Sequence, residues 1–547
     1  MQGARLSIRR RSFMAALLGG AATTFTFSVA GAAASKALSG AVQIPMIQAG
    51  EDLFAYMTRT RGGFDPVLYR QLLGAANSFK EGDMRLGVAA ADDTARRNAR
   101  TLLANTRIGA LQSHPVLHDS LTEVLRQDVD SGIAAQLASW TLAQLRSYLV
   151  QSDEAGIARA LPGLGSETIG CVVKLMSNAE LTRVSAKIFH PLPGSQVGAK
   201  GYLGARLQPT SKTDHPDDIL WQVLDGWSHA VGDVVIGANP VSSHPEVVAR
   251  LELALHDLRT TFGLQDTLPH SVLAPIDVQA QVEKMHPGVT GIWFQNIAGS
   301  DAANVPFDVT VSKLLRHAKT RTGRWGLYFE TGQGSELLSG AQDGCDLVLH
   351  EARRHGFARL LRKSVAQARG VSPSQVWLHV NNVAGVIGPR VLRTRHQLVR
   401  ACLEDLVMGK LHGLTMGLDV CAAATMELDS AQLDWCLDEL APANPAYLVG
   451  LPKKHDPLVG YYSTAFADHL RLRKKFGFKV SDAMSRFFQQ VGVLDASGNP
   501  TAKFGDPTWL YLQYRRRKGD QRSDGKILAQ ARRSLRAARE RGANLAA

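Results

Sequence analysis

"GLYFETGQGSELLSG", residues 326–340, decides the fold. Leu327-Tyr328-Phe329 is an apolar run that ends on one carboxylate, Glu330, and passes into a loop of Thr331, Gly332, Gln333, Gly334 and Ser335. A short aromatic run closed by glycines predicts a buried strand that delivers Glu330 at its carboxyl end. Parallel α/β folds keep their chemistry at such ends. On this segment alone Glu330 reads equally well as a strand-capping carboxylate paired with an Arg.

Seven further runs of the same kind lie on either side: "GYLGARLQ" (201–208), "DVVIGAN" (233–239), "HSVLAP" (270–275), "TGIWFQN" (290–296), "VWLHVNN" (376–382), "LTMGLD" (414–419) and "AYLVGLP" (446–452). Segments with helical periodicity separate them, such as "PEVVARLELALHDLRTTFG" (245–263) and "HQLVRACLEDLVMG" (396–409). Eight strands alternating with helices over about 250 residues predict an α/β fold, a (β/α)8 TIM barrel, here spanning 196–511. A doubly wound open sheet is the alternative. Upstream, 35–195 reads as a helical N-terminal domain: "LTEVLRQDVDSGIAAQLASWTLAQLRSYLV" (121–150) repeats apolar residues at three- and four-residue steps, and "LPGLGS" (161–166) breaks the pattern.

The chain has 547 residues and a formal net charge of +13, but 1–36 carry +5 and 515–547 carry +8. The body between them is neutral, so no nucleic-acid partner is expected. In "SIRRRSFMAALLGGAATTFTFSVAGAAASKA" (7–37), Arg10-Arg11-Ser12-Phe13-Met14 fits a twin-arginine pattern, and Ala30-Gly31-Ala32 and Ala32-Ala33-Ala34 are small-residue cleavage candidates. Residues 1–34 are therefore read as a twin-arginine signal peptide and the protein as periplasmic; a membrane anchor is the alternative if cleavage fails. Five cysteines without C-x-x-C spacing argue against a disulfide framework and fit folding in a reducing cytoplasm before export. The basic tail, 512–547, places Ile527, Ala531, Leu535 and Ala538 at helical steps. It reads as a solvated helix or disordered tail, or as a surface for an acidic partner or a membrane.

In a barrel, polar residues at strand ends converge on one mouth. Here they are Arg206 and Gln208, Asn239, Glu330 and Asp419. Two carboxylates, a guanidinium and two amides suit a substrate with a cationic amine beside a hydroxyl, and would equally form a buried structural network. "LHEARRHG" (349–356) spaces its histidines five apart and is not the H-E-x-x-H zinc motif; "TGQGS" (331–335) lacks the Gly-Lys-Ser/Thr of a P-loop; no G-x-S-x-G elbow occurs. No metal site is expected.

"EGDMRLGVAAADD" (81–93), "LMSNAEL" (175–181), "ARLQPT" (205–210), "VGDVVIGANPV" (231–241), "LYFETGQGSELLSGA" (327–341), "GCDLVLHEARRHGFAR" (344–359), "VIGPRVL" (386–392), "LEDLVMGKLHGLTMGLD" (403–419) and "YYSTAFADH" (461–469) follow in this order. From about residue 80 to "FGDPTWLY" (504–511) the chain resembles the heavy chain of adenosylcobalamin-dependent ethanolamine ammonia-lyase. The resemblance implies a barrel with a helical N-terminal domain, a separate light chain, and a homo-oligomer of heavy chains. It implies Arg206, Gln208, Asn239, Glu330 and Asp419 as substrate contacts, with Glu330, Arg206 and Asp419 catalytic and Glu330 between amine and hydroxyl. It also places Asn296 and Val383 against the coenzyme. Three positions depart from the family: Asn296 stands for a Ser, Pro306 for a Glu and Val386 for a substrate-lining Phe, which weakens coenzyme contacts and enlarges the pocket. The implied activity is radical deamination of ethanolamine or a similar vicinal amino alcohol to aldehyde and ammonia. The alternative is an exported, non-catalytic amino-alcohol-binding homologue that has lost coenzyme use.

Overall fold

A computed structural model describes residues 41–340, 343–423, 425–456 and 460–546; the twin-arginine stretch, 1–34, lies outside the described residues. Each of the eight apolar runs overlaps one strand: β1 (Gly204–Leu207), β2 (Val235–Ala238), β3 (His270–Val272), β4 (Trp293–Asn296), β5 (Trp325–Thr331), β6 (Trp377–Ala384), β7 (Thr415–Val420) and β8 (Tyr447–Gly450). All pair in parallel, in the order β3-β2-β1-β8-β7-β6-β5-β4.

The two ends of that order meet. Ile292, just before β4, donates its amide to the His270 carbonyl of β3 at 2.8 Å. Gly291 makes this seam feasible, because a Cβ there would sit 2.0 Å from the same carbonyl oxygen. The sheet is thus a nearly closed barrel and not an open doubly wound sheet. Helices such as Pro245–Thr261 and Arg395–Leu411 surround it.

Side chains alternate between lumen and helix layer. Phe294, Tyr328, His379 and Tyr447 form a belt across the lumen, with successive ring centroids 5.4, 4.5 and 5.4 Å apart. Burial lowers the His379 pKa to about 3, so this ring belongs to the core as a neutral group. The belt floors the mouth above it.

The segment before the barrel is helical from Leu53–Arg61 to Asn178–Ser185. The 121–150 pattern divides into Ser120–Gln127, Ser131–Leu137 and Leu142–Gln151, because Asp130 and Thr141 cap new helices. Fully buried ion pairs join this layer to the barrel: Lys174 with Asp346 and Lys80 with Glu404, each at 2.7 Å. Such pairs fix one docking geometry, since removing either partner strands a buried charge.

At the far end, position 512 falls within the helix Pro507–Arg517, whose Leu510 and Tyr514 are buried. Packing continues past it: Tyr514 and Lys518, one turn apart, both bind Asp257 of a barrel helix. The helix Asp524–Ala546 then buries Ile527 and Ala531 on the barrel, and Ser534 donates to Asp217. The first part of the tail is therefore packed, and its arginines face outward. No helix among the described residues is long and apolar enough to cross a membrane.

Candidate functional site

Arg206 lies within β1 and is fully buried in the lumen. Its Nη1 donates to Gln208 Oε1, and its Nη2 lies 3.3 Å from Glu330 Oε1 as an ion pair without hydrogen-bond geometry. The guanidinium is 5.5 Å from the Tyr328 ring centre. Burial opposes its charge, but Tyr328, Glu330, Tyr461 and Asp419 outweigh that, and its pKa is raised. Space for it comes from β2: a Cβ on Gly237 would meet Arg206 Nε at 2.8 Å and Cζ at 3.1 Å.

Glu330 is the second-last residue of β5 and is slightly open to the mouth. Tyr328, two residues earlier on the same face, donates its hydroxyl to Glu330 Oε1 at 2.6 Å. On the other side Gln208 Nε2 donates to Asp456 Oδ2 at 2.9 Å and to the Tyr461 hydroxyl at 3.0 Å. Tyr461 in turn donates to Asp419 Oδ2 at 3.0 Å, and Ser463 to Asp419 Oδ1. Glu330, Arg206, Gln208 and Asp419 are therefore joined through one network across β5, β1 and β7. Asn239 sits one residue past β2, half-buried, its backbone amide donating to Pro209 at 3.3 Å.

Burial pushes Asp419 up to about 6 although Ser463, Arg206 and Tyr461 pull it down. The folded protein then holds this proton more tightly than the unfolded chain, whose carboxyl titrates near 3.8. From this group, stability is full below about pH 4 and is lost as pH rises through about 6. Ligand-free protein is therefore expected to lose on the order of 2 kcal/mol over that window, and Asp419→Asn to remove the dependence in urea unfolding curves.

Tyr328, Asp456, Tyr461 and Ser463 were not among the residues picked from sequence. Tyr328 reads there as core. The others lie on the loop after β8, which a two-residue pairing of Tyr461–Tyr462 with Ala422–Ala423 brings to the mouth; the motif "YYSTAFADH" was the signal that could have found Tyr461 and Ser463, while Asp456 lies before it without a signal. "LHEARRHG" opens the helix Leu347–Arg369 and is spent on structure: Arg354 pairs with Glu336 and Glu351, and Glu351 also faces His355. Burial raises Glu351, but Arg354 and His355 together outweigh it and hold it at about 2.

Residues 64–503 match the family described as ethanolamine ammonia lyase large subunit. The chain belongs to that family. Its ethanolamine ammonia-lyase large-subunit relatives include those of Escherichia coli (strain K12) and Salmonella typhimurium (strain LT2), each 32% identical over 461 residues, 81% of this chain and 96% of the relative.

Around the mouth two positions could face a larger group of the kind this ammonia-lyase family uses. Asn296 ends β4 in register with Glu330, half-buried, and its amide makes no hydrogen bond among the described residues. Val383 on β6 is half-buried and in register with Asp419. An amide on β4 and an apolar side chain on β6 fit an adenosyl group, whose ribose and ring nitrogens need both donors and acceptors. Pro306 lies exposed in the turn Val305–Phe307 and offers no donor.

Proposed function

We propose that this chain is the large subunit of an ethanolamine ammonia-lyase. It deaminates ethanolamine, or a slightly larger vicinal amino alcohol, to aldehyde and ammonia, with a small subunit and adenosylcobalamin. The observation that carries this reading is the buried Arg206, which pairs with Glu330 and reaches Asp419 through Gln208 and Tyr461, inside a chain of this family.

Asp419 and Glu330 attract the substrate ammonium, while Arg206 Nε, which has no acceptor among the described residues, is available to the hydroxyl oxygen. Gln208 is fixed by Arg206, Asp456 and Tyr461, so its amide orientation does not vary. Glu330 then takes the hydroxyl proton as the carbonyl forms and returns it to the departing nitrogen, while one hydrogen passes from the hydroxyl-bearing carbon to the carbon that loses nitrogen, so that the protonated amino alcohol becomes aldehyde and ammonium. Asn296 and Val383 would hold the adenosyl end of the coenzyme, which when bound supplies the radical chemistry. The aromatic belt closes the mouth from below and keeps water out. Half-buried Val386, smaller than Phe, supports the larger amino alcohols.

The test combines the full chain, the small subunit, adenosylcobalamin and ethanolamine. Ammonia release that requires added coenzyme is expected. Ethanolamine binding without ammonia release would instead make this a binding homologue that has lost coenzyme use. Since ionised Asp419 attracts the ammonium, affinity should rise about tenfold from pH 5 to pH 7, and calorimetry on Asp419→Asn should show a flat profile. Gly237→Ala should push the guanidinium from its place and lower kcat/KM for ethanolamine about 100-fold, with the circular dichroism spectrum unchanged.

Export by the twin-arginine route belongs to the same reading, supported by Arg10-Arg11 and by five buried, unbridged cysteines. Changing Arg10 and Arg11 to Lys should leave the precursor in the cytoplasm, as fractionation will show.

A further inference from the structure

Asn381, on β6, is fully buried, and neither its Oδ1 nor its Nδ2 has a hydrogen-bond partner among the described residues. Buried side-chain amides are almost always paired, so an unpaired one asks for an explanation. Its direction follows from its neighbours. His379, two residues earlier, touches the Tyr328 and Tyr447 rings in the lumen, whereas Asn382 donates outward to Asp405 on the helix Arg395–Leu411. Asn381 therefore points into the lumen, one step nearer the mouth than the aromatic belt.

At that level Asn381 is in register with Glu330 on β5 and with Gly417 on β7. The Tyr447 ring covers Gly417, since a Cβ there would meet Cε2 at 2.0 Å, so β7 offers no polar partner beside the amide. Glu330 Oε1 is occupied by Tyr328 and Arg206, and Oε2 has no hydrogen bond among the described residues. Asp419 lies one step higher on β7. The strand carrying Asn381 thus runs between the two strands that carry the carboxylates, while Arg206 and Asn239 come from β1 and β2 across the mouth.

We propose that Asn381 is a further substrate-binding residue, its Oδ1 accepting a hydrogen bond from the ammonium of the amino alcohol alongside Glu330 and Asp419. This deepens the amino-alcohol reading and rests on it. An ammonium has three N–H groups, and two carboxylates with one neutral amide satisfy all three without adding a third buried negative charge. The ammonium supplies the partner that no described residue gives this amide.

The test is calorimetry on the full chain with its small subunit, comparing wild type with Asn381→Ala for ethanolamine and for ethylamine, which keeps the ammonium and lacks the hydroxyl. Asn381→Ala should bind both amines about tenfold more weakly or worse. Without ligand it should melt no lower than wild type, since no hydrogen bond within the protein is lost. Equal affinities in the two proteins would overturn the proposal. So would a loss confined to ethanolamine, which would put the amide on the hydroxyl, or a melting temperature several degrees lower, which would make it structural. Failure of wild type to bind either amine would be separate, removing the amino-alcohol reading and this residue's role with it.

Discussion

Glu330→Gln is expected to lower ammonia release from ethanolamine by at least about 1000-fold while the fold persists. The substitution keeps the shape of the side chain and an oxygen for Tyr328 to donate to, so the 2.6 Å hydrogen bond has a replacement acceptor. Two functions are lost together. The amide carries no charge for the ammonium, which weakens ethanolamine binding, and it cannot move a proton between the hydroxyl and the departing nitrogen, which slows turnover at saturating substrate. Arg206 also loses its ionic partner at 3.3 Å and keeps Asp419 among the groups that balance its buried charge. Steady-state kinetics and calorimetry separate these effects: the fall should appear in kcat as well as in affinity. A kcat within tenfold of wild type would remove Glu330 from the proton path and leave it a binding residue.

The barrel was legible because parallel strands are buried on both faces and read as unbroken apolar runs, with no alternation to decode. "LTMGLD" and "AYLVGLP" show this: each holds a strand whose residues are all buried. The polar ends were legible for the complementary reason, that an Arg or Glu terminating such a run is brought to the mouth by topology alone. Arg206, Gln208, Glu330 and Asp419 are brought together in that way.

What remained hidden depended on contacts without a local period. Gln208 and Asp456 are 248 residues apart, and nothing in either neighbourhood announces the other. Tyr328 was hidden differently: in "GLYFE" it is one more aromatic residue of a buried strand, and only the packing shows its hydroxyl on Glu330. Asn381 stood within a quoted run, yet its meaning lies in having no partner, which only a complete set of neighbours reveals. The tail boundary shifted for a similar reason. Composition separates the arginines from the neutral body, but Tyr514 and Lys518 share Asp257, so packing runs further than charge suggests.

Arg206→Met is expected to lower kcat/KM for ethanolamine by about 1000-fold, and Arg206→Lys by about 100-fold. The guanidinium is the cation at the centre of this network: it meets Glu330, binds Gln208 and lies over the Tyr328 ring. Methionine fills much of the volume but leaves the two carboxylates to repel each other, and the site answers by taking up a proton. Asp419 is the group placed to take it, because burial already pushes it to about 6 and Arg206 is among the influences holding it down. The acid limb of kcat/KM should therefore move to higher pH in Arg206→Met, and less in Arg206→Lys, where the charge survives. Lysine fails for a geometric reason: one ammonium cannot reach Gln208 Oε1 and Glu330 together along the directions of the planar fork. Its deficit should lie in positioning, with the pH profile near that of wild type and kcat reduced. An unshifted acid limb in both variants would show that Arg206 does not set the charge of Asp419.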